Sequence, residues 1–334
     1  MESQQNTIAL EYSTIRTDIG ILSTRWSLDD SHIAAGCSDG TVKLFSGAYG
    51  TLVRSMNCKL STETFPVTSI RWRPERSIGK TRNVLLAVTC DGEIFHWHAS
   101  SGKILHSLKI ESSQALSSDY NTEGINFAVG CNDKSIKIFD ESSRQMIQDL
   151  NGSENKVLGH DNRITSVKWI DNNLVLSGGW DHNIMVWDLR NGQVARCFYG
   201  PRICGDSLDI KGDMILVGSY NIEEQLQIWS LSEGKCVFSE NMTSDNGACM
   251  AYTAQYCGFD NKNTFAVGGV GGSNFYVYDT DSRKKIGVIS DVNKGVFSLD
   301  FAHSSHKAVL GCGDGSLRVY KFIDNFAENL DLED

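Results

Sequence analysis

A segment of thirty residues recurs in altered form along this chain, and this repetition constrains the fold more than any other feature. Its best-formed copy runs from Gly159 to Asp188 and reads GHDNRITSVKWIDNNLVLSGGWDHNIMVWD. Three short runs in this copy are rich in β-branched and aromatic residues, at 164–169, 174–177 and 184–187. Asn, Gly and Asp residues separate the runs, as tight turns require. The segment therefore predicts three antiparallel strands.

An aromatic residue marks the third strand of every copy. The seven aromatics stand 42 to 52 residues apart, which is typical of repeat units that each form four strands. In five copies an aspartate precedes the aromatic by six positions. The pattern predicts an all-β fold, a single seven-bladed β-propeller of four-stranded antiparallel blades. The aromatics are Phe45, Trp97, Phe139, Trp187, Trp229, Tyr278 and Tyr320, and the aspartates are Asp39, Asp91, Asp133, Asp181 and Asp314.

The last copy ends without a fourth strand, whereas the chain begins with an alternating run that has no partner of its own. This run is TIALEYS, at Thr7–Ser13. We predict that it forms an N-terminal strand that completes the last blade and closes the ring, because closure removes an exposed sheet edge. The propeller domain then covers residues 1–323, and residues 324–334 form a short acidic tail.

The dipeptides that bound the best-formed copy make it resemble a WD repeat. Gly159-His160 stands near its start and Trp187-Asp188 at its end, with a spacing that this family permits. In that family a loop histidine, a strand serine or threonine, a turn aspartate and a strand tryptophan form a hydrogen-bonded structural relay. The resemblance assigns these roles to His160, Ser177, Asp181 and Trp187. It covers nearly the whole chain and identifies a superfamily, not one member.

Three of the relay residues also have the composition of a hydrolase triad, with Ser177 as nucleophile, His160 as base and Asp181 as orienting carboxylate. No G-x-S-x-G nucleophile elbow surrounds Ser177. A buried Trp187 indole, in addition, needs the acceptor that a relay supplies. We therefore interpret these residues as structural, and we expect no catalytic residue, no enzyme activity and no cofactor.

Composition bears on where the protein works and what it binds. The chain starts without a basic and apolar leader and contains no apolar run long enough to span a bilayer. Cys37, Cys131 and Cys312 each precede an aspartate by two residues, which favours small buried strand residues over disulfides. We expect an intracellular, cytoplasmic protein, with a nuclear location left open. A net charge of -10 argues against nucleic acid and anionic membranes as ligands.

Three histidines in blade two form a weak candidate metal site. His96 and His98 flank Trp97 on one strand, and the tight turn at Ser100–Gly102 brings His106 opposite one of them. Three imidazoles can hold zinc, but the sequence shows no residue that would orient the rings. We therefore predict no bound metal.

Residues suited to binding occur in the loops before the first strand of a blade (d–a loops) and in the turns between its second and third strands (b–c turns). Both emerge at the same end of every blade, and tryptophan, tyrosine and arginine dominate binding hot spots. Packing of these side chains under their own loops is an equally weighted alternative. The candidate partner-binding face consists of Phe65, Arg163, Trp180, Tyr199, Arg202 and Tyr220.

Three functions fit these observations. The leading hypothesis is a non-catalytic scaffold or adaptor, a monomeric propeller within a complex that presents its loop faces to protein or peptide partners. An alternative is a substrate-receptor subunit that reads a peptide or a modified tail. The third is a small-ligand sensor or enzyme that uses the central channel, for which the sequence contains no motif of convergent ionisable residues.

Overall fold

The computed structural model describes residues 8–14, 17–59, 63–74, 82–152, 158–244, 247–258, 263–272, 274–290 and 292–322. Within these ranges the chain forms 30 β-strands and no helix. Seven four-stranded antiparallel sheets form the blades of a β-propeller, which confirms the predicted fold class. The acidic tail predicted at residues 324–334 lies outside the described residues.

Each blade contains strands a, b, c and d, with strand a against the central channel. The first strand of the chain, β1 (Ile8–Ser13), belongs to blade seven. Blade one consists of β2 (Ile21–Trp26), β3 (His32–Cys37), β4 (Thr41–Ser46) and β5 (Leu52–Asn57). Blade two consists of β6 (Val67–Trp72), β7 (Val84–Thr89), β8 (Glu93–His98) and β9 (Lys103–Lys109). Blade three consists of β10 (Ala115–Tyr120), β11 (Asn126–Cys131), β12 (Ile136–Asp140) and β13 (Met146–Leu150).

The remaining blades follow the same order. Blade four consists of β14 (Ile164–Trp169), β15 (Leu174–Gly179), β16 (Asn183–Asp188) and β17 (Gln193–Tyr199). Blade five consists of β18 (Leu208–Lys211), β19 (Met214–Gly218), β20 (Leu226–Ser230) and β21 (Lys235–Glu240). A small hairpin that was not predicted, β22 (Thr243–Ser244) and β23 (Gly247–Ala248), precedes blade six. Blade six consists of β24 (Met250–Tyr256), β25 (Thr264–Val270), β26 (Phe275–Asp279) and β27 (Lys285–Ile289). Blade seven contains β28 (Val296–Phe301), β29 (Lys307–Cys312) and β30 (Leu317–Phe322) in addition to β1.

The N-terminal strand closes the ring as predicted. β1 pairs antiparallel with β30, so that Ile8 lies opposite Phe322 and Ser13 opposite Arg318. Blade seven therefore takes its three inner strands from the C-terminal part of the described chain and its outer strand from the N-terminal part. Because β30 pairs with β29 on one side and with β1 on the other, it is not an exposed edge strand.

The apolar core lies between neighbouring blades. Residues of strand b are buried in every blade, and in β7 all six are buried, because each sheet packs face to face against the next. One core cluster, for example, joins Leu44 of blade one to Trp97 of blade two. The predicted small strand residues Cys37, Cys131 and Cys312 are fully buried, and all ten cysteines are free thiols.

The innermost strands of six blades carry a β-bulge at the same place. In blade one the register passes from Ile21–Cys37 to Ser23–Gly36, which leaves Leu22 without a partner. A bulge disrupts the ladder and re-aims the side chain of the extra residue. These residues all line the upper mouth of the channel, on the face where the d–a loops and b–c turns emerge. They are Leu22, Thr68, Leu116, Thr165, Tyr252 and Phe297.

Blade five departs from this pattern. The sequence predicts a first strand over DSLDI, from Asp206, but β18 begins only at Leu208. Asp206 occupies the place that the bulged residues hold elsewhere, and its side chain pairs with Arg25 and Arg71 across the channel.

Candidate functional site

Blade four contains a chain of hydrogen bonds that runs from a turn to a strand. Asp181 Oδ2 lies 2.8 Å from His160 Nδ1, and His160 Nε2 lies 2.7 Å from the Ser177 hydroxyl. The Trp187 indole donates to that hydroxyl over 2.9 Å. Since a carboxylate only accepts, Nδ1 of His160 donates to Asp181. The structure thus brings together the four residues to which the WD resemblance assigns the relay.

The relay is buried. The side chains of His160 and Asp181 are 0% and 3% exposed, and Ser177 is fully buried. Burial opposes the charge of Asp181, but the hydrogen bond from His160 lowers the pKa of this carboxyl below its usual range. The carboxylate is therefore ionised at neutral pH, and each buried polar atom of the chain satisfies the next.

The aspartates at the equivalent turns of other blades act locally. Asp39 accepts hydrogen bonds from the amide and the hydroxyl of Thr41, and Asp133 and Asp314 do the same for the serine two residues later. Asp91 instead accepts from Thr89 and from Lys109. These side chains hold the b–c turns in shape.

Two arginines stack on one tryptophan where blade four meets blade five. The guanidinium carbons of Arg163 and Arg202 lie 4.5 and 4.1 Å from the ring centroid of Trp180, within the range of a cation–π contact. Backbone hydrogen bonds join the loops that carry them: the Trp180 amide donates to the Arg163 carbonyl over 3.2 Å, and Ile203 donates to Gly179 over 2.9 Å. We call Arg163, Trp180 and Arg202 the arginine–tryptophan cluster.

Three aromatic rings continue from this cluster toward the channel. Tyr220, in the b–c turn of blade five, packs edge-on against Tyr252 with centroids 5.1 Å apart, and Tyr252 packs edge-on against Phe297 at 5.0 Å. The Tyr220 amide donates to the Arg202 carbonyl over 2.8 Å, which ties the rings to the cluster. Blades four to seven therefore share one aromatic arc on the upper face.

The channel mouth beside this arc is a pocket of about 290 Å³. Its walls are formed by the bulged residues of the inner strands, and blade five contributes Cys204, Gly205 and Asp206. Ser117 Oγ and Asp206 Oδ1 are buried there without a hydrogen-bond partner among the described residues. Buried polar atoms are normally paired, so the mouth has unused hydrogen-bonding capacity.

Below the mouth, an ion-pair network crosses the channel. Asp206 accepts from Arg25 and, over 2.8 Å, from Arg71, which also pairs with Asp119 over 3.1 Å. Burial opposes the charge of Asp206, but attraction by Arg71, Arg25 and Lys168 holds its pKa far below the usual range. The network is therefore ionised at neutral pH.

Carboxylates at the same level also tie neighbouring blades together. Each accepts a hydrogen bond from the backbone amide that ends the inner strand of the next blade, which satisfies a donor that faces the channel. The three pairs are Asp119 with Trp169 at 3.0 Å, Asp209 with Tyr256 at 2.8 Å and Asp300 with Trp26 at 2.7 Å.

The histidines of blade two do not converge on one point. His96 is fully buried, its Nε2 lies 2.9 Å from Glu141 Oε2, and its ring stacks on His106 with centroids 4.0 Å and planes 20° apart. One potential ligand atom each of His96, His106 and Glu141 lies within 4.8 Å of the others, so the group with metal-ligand spacing contains Glu141 and not His98. Burial and the neighbouring His96 lower the pKa of His106 to about 4. His98 lies apart from this group and contacts the Ser101 hydroxyl at 2.7 Å.

Two stretches of the chain match the family described as "WD domain, G-beta repeat". They are residues 13–46, in blade one, and 152–188, which contain the first three strands of blade four. This match agrees with the seven four-stranded blades and with the spacing of the repeats along the sequence. The chain is a seven-bladed β-propeller that contains WD repeats.

The relatives of this WD-repeat propeller are distant. It is 25% identical over 169 residues to the U3 small nucleolar RNA-associated protein 21 homolog of Schizosaccharomyces pombe, covering 49% of this chain and 18% of the relative. It is 23% identical over 247 residues to cell division cycle 20.4, cofactor of APC complex, of Arabidopsis thaliana, covering 71% and 53%. It is 25% identical over 195 residues to the guanine nucleotide-binding protein subunit beta of Zea mays, covering 55% and 49%. The chain thus spans about half of these relatives' length or less.

Four of the six predicted partner-binding residues of the WD-repeat propeller lie together, namely the arginine–tryptophan cluster and Tyr220. Tyr199 ends the outer strand of blade four, is 78% exposed and stacks on His182 at 6.0 Å. Phe65 is partly buried in the loop before blade two. Among the described residues, no contact joins Tyr199 or Phe65 to the cluster. No helix in the described part of the chain is long and apolar enough to cross a membrane.

Sequence reasoning missed the residues that line the channel of this WD-repeat propeller. Alignment of the inner strands on their final residue would reveal two repeated positions: the second, which is bulged, and the fifth, which carries a charge in six blades. Because the fifth positions face the channel, their charges meet only there. From blade one to blade seven, the residues at the fifth position are Arg25, Arg71, Asp119, Lys168, Asp209, Gln255 and Asp300.

Proposed function

We propose that this WD-repeat propeller is a non-catalytic scaffold that binds a segment of a partner protein at the upper mouth of its channel. The observation that carries the proposal is the arginine–tryptophan cluster, which lies beside the aromatic arc. Truncation of arginine, tryptophan and tyrosine is what weakens protein interfaces most. The face therefore combines the residue types of a hot spot with an open pocket.

The names of the relatives support a role in assemblies. One relative is described as a cofactor of the APC complex and another as a subunit of a guanine nucleotide-binding protein. We extend to this chain the general role of an adaptor or subunit, with a partner of its own. A substrate-receptor role, with a peptide or tail as the bound segment, would use the same face. The pocket of about 290 Å³ at the channel mouth has room for a side chain of such a segment.

The free thiols and the buried relay bear on location and activity. Ten unpaired cysteines suit a reducing compartment, which supports an intracellular location, cytoplasmic or nuclear.

The relay residues Ser177, His160 and Asp181 have the composition of a catalytic triad. Ser177 is fully buried, and its hydroxyl already accepts a hydrogen bond from the Trp187 indole. The burial of Ser177 and its hydrogen bond from Trp187 favour binding over catalysis as the role of this protein.

Alanine substitution of Trp180 and Arg202 together tests the proposal. Wild-type and variant protein are immobilised, and bound proteins from the native cell are quantified by mass spectrometry. The matched control replaces Tyr49 and Arg190, which lie in exposed c–d turns on the opposite face. We expect specific partners to be lost only from the upper-face variant, each truncation costing about 2 kcal/mol of binding.

A melting curve separates lost binding from lost folding. If the double variant melts well below the wild type, Arg163→Gln, which alters an exposed side chain, replaces it in the capture experiment. Retention of every partner by folded upper-face variants, or equal losses in the lower-face control, would contradict the proposal.

A further inference from the structure

The arginine–tryptophan cluster concentrates positive charge that no carboxylate of the described chain neutralises. Both guanidinium groups lie within 4.5 Å of the centroid of one indole ring, so they are at most about 9 Å apart, close to one Debye length. Neither Arg163 nor Arg202 forms a salt bridge among the described residues. In contrast, Arg25 and Arg71 of the channel network are both paired with carboxylates. Two arginines on one ring make this part of the upper face locally positive, although the chain as a whole has a net charge of -10.

The buried hydrogen-bonding atoms of the cluster are donors. Arg202 Nε and Trp180 Nε1 are buried, and the acceptor beside both of them is the sulfur of Cys204, which accepts hydrogen bonds only weakly. The neighbouring Cys204 does not supply a negative charge, because burial raises the pKa of its thiol. A neutral thiol is a poor partner for two buried donors that lie beside two positive charges. An anionic oxygen would accept from the donors and balance the charge.

The surroundings determine which kind of anion fits. The net charge of -10 opposes a polyanion such as nucleic acid more strongly than it opposes a single carboxylate. Cys204 also lines the channel mouth, so the cluster is continuous with the pocket.

We infer that the partner segment carries an aspartate or glutamate whose carboxylate binds between Arg163 and Arg202, next to an uncharged side chain that enters the channel mouth. The inference rests on the proposed function, because it specifies the chemistry of the segment bound at that face. Guanidinium groups bind carboxylates in two-pronged geometry, and an indole donor beside them adds direction.

A displayed library of random twelve-residue peptides, selected on the wild-type propeller, tests the inference. We expect the selected peptides to share an acidic residue beside an apolar one. A synthetic peptide of this sequence is then compared with its Glu→Gln or Asp→Asn counterpart by fluorescence anisotropy. Loss of the carboxylate is expected to weaken binding at least about tenfold, as for other charge-assisted hydrogen bonds.

Protein variants assign the effect to the cluster. Arg163→Gln with Arg202→Gln should abolish the difference between the acidic and amide peptides, whereas Arg190→Gln on the opposite face should preserve it. Arg202→Glu should restore binding of a peptide in which lysine replaces the acidic residue, a gain that a merely unfolded variant cannot show.

The possible failures are distinguishable. Selected peptides without an acidic preference, equal binding of the amide peptide, or a requirement for phosphoserine would overturn the carboxylate inference while leaving the docking face intact, provided that Trp180→Ala still abolishes binding. Peptides whose binding is unaffected by every upper-face variant would overturn both proposals. Failure of the library to enrich any peptide would overturn the inference as well.

Discussion

Replacement of Asp181 by alanine isolates the contribution of the blade-four relay to stability. The substitution removes the acceptor 2.8 Å from His160 Nδ1, and the His160 side chain is fully buried. An unsatisfied buried donor costs about 1–3 kcal/mol, toward the upper end where the lost acceptor was charged. The amide of Asp161 also loses this acceptor, but it is exposed and can bind water instead. We therefore expect the free energy of unfolding to fall by about 2–3 kcal/mol.

The control is Asp39→Ala, at the equivalent turn of blade one. Asp39 accepts two hydrogen bonds from Thr41 within its own turn and takes part in no histidine relay. Its removal should cost about 1 kcal/mol, as for an ordinary turn hydrogen bond. Urea unfolding at neutral pH, followed by tryptophan fluorescence and circular dichroism, gives both midpoints, and unchanged m values show that the comparison is valid.

The pH dependence supplies a second check. Because the pKa of Asp181 is lowered in the folded protein, its stabilisation is present above the unfolded value of about 3.9 and is lost as pH falls through the folded value. The gap between wild type and Asp181→Ala should therefore narrow in acid. Identical midpoints for the Asp181 and Asp39 variants at neutral pH would refute a stabilising role for the relay.

Two further predictions concern ring closure and the channel. Deletion of residues 1–15 should leave β30 with a free edge, so the product should melt at a lower temperature and self-associate; light scattering after size exclusion measures this. Deletion of residues 1–7, which spares β1, is the control, and a monomeric 1–15 deletion as thermostable as the parent would count against closure by β1. Asp206→Asn should lower the free energy of unfolding by about 1–3 kcal/mol at neutral pH, because Arg25 and Arg71 lose a shared carboxylate. Since the folded pKa of Asp206 is depressed, this difference should begin to shrink as pH falls below about 3.9 and should be lost only as pH falls through the folded value, and a pH-independent difference would argue against the ion pairs.

The channel network and the upper mouth have different roles in this picture. Arg71 and Asp119 are buried and paired with each other, so they are part of the structure that holds the blades in register. Arg163 and Arg202 stack on Trp180 at the upper face and form no salt bridge among the described residues. Residue type alone does not separate Arg71 from Arg163 and Arg202. Their partners do.

Sequence alone predicted the fold class, the number of blades and the closing strand. Each of these depends on patterns that repeat within about fifty residues, such as the aromatic of strand c and the aspartate before it, and each blade must bury the same faces as the next. The relay was also accessible, because His160, Ser177, Asp181 and Trp187 lie within one repeat and are marked by their spacing. Local regularity was sufficient for these predictions.

The channel and the composition of the upper face were decided by the tertiary structure. Asp206 meets Arg25 and Arg71 because the ring closes, and these residues are 181 and 135 positions apart along the chain, so no pattern within one repeat predicts the contact. Among the six candidates for the upper face, Arg163 and Arg202 meet on Trp180, whereas Tyr199 stacks on His182 at the outer edge. The repeat pattern determines at which face of the propeller a loop emerges. The direction of each side chain on that face depends on bulges, turn conformations and neighbouring blades, and these are set only when all seven blades pack around one axis.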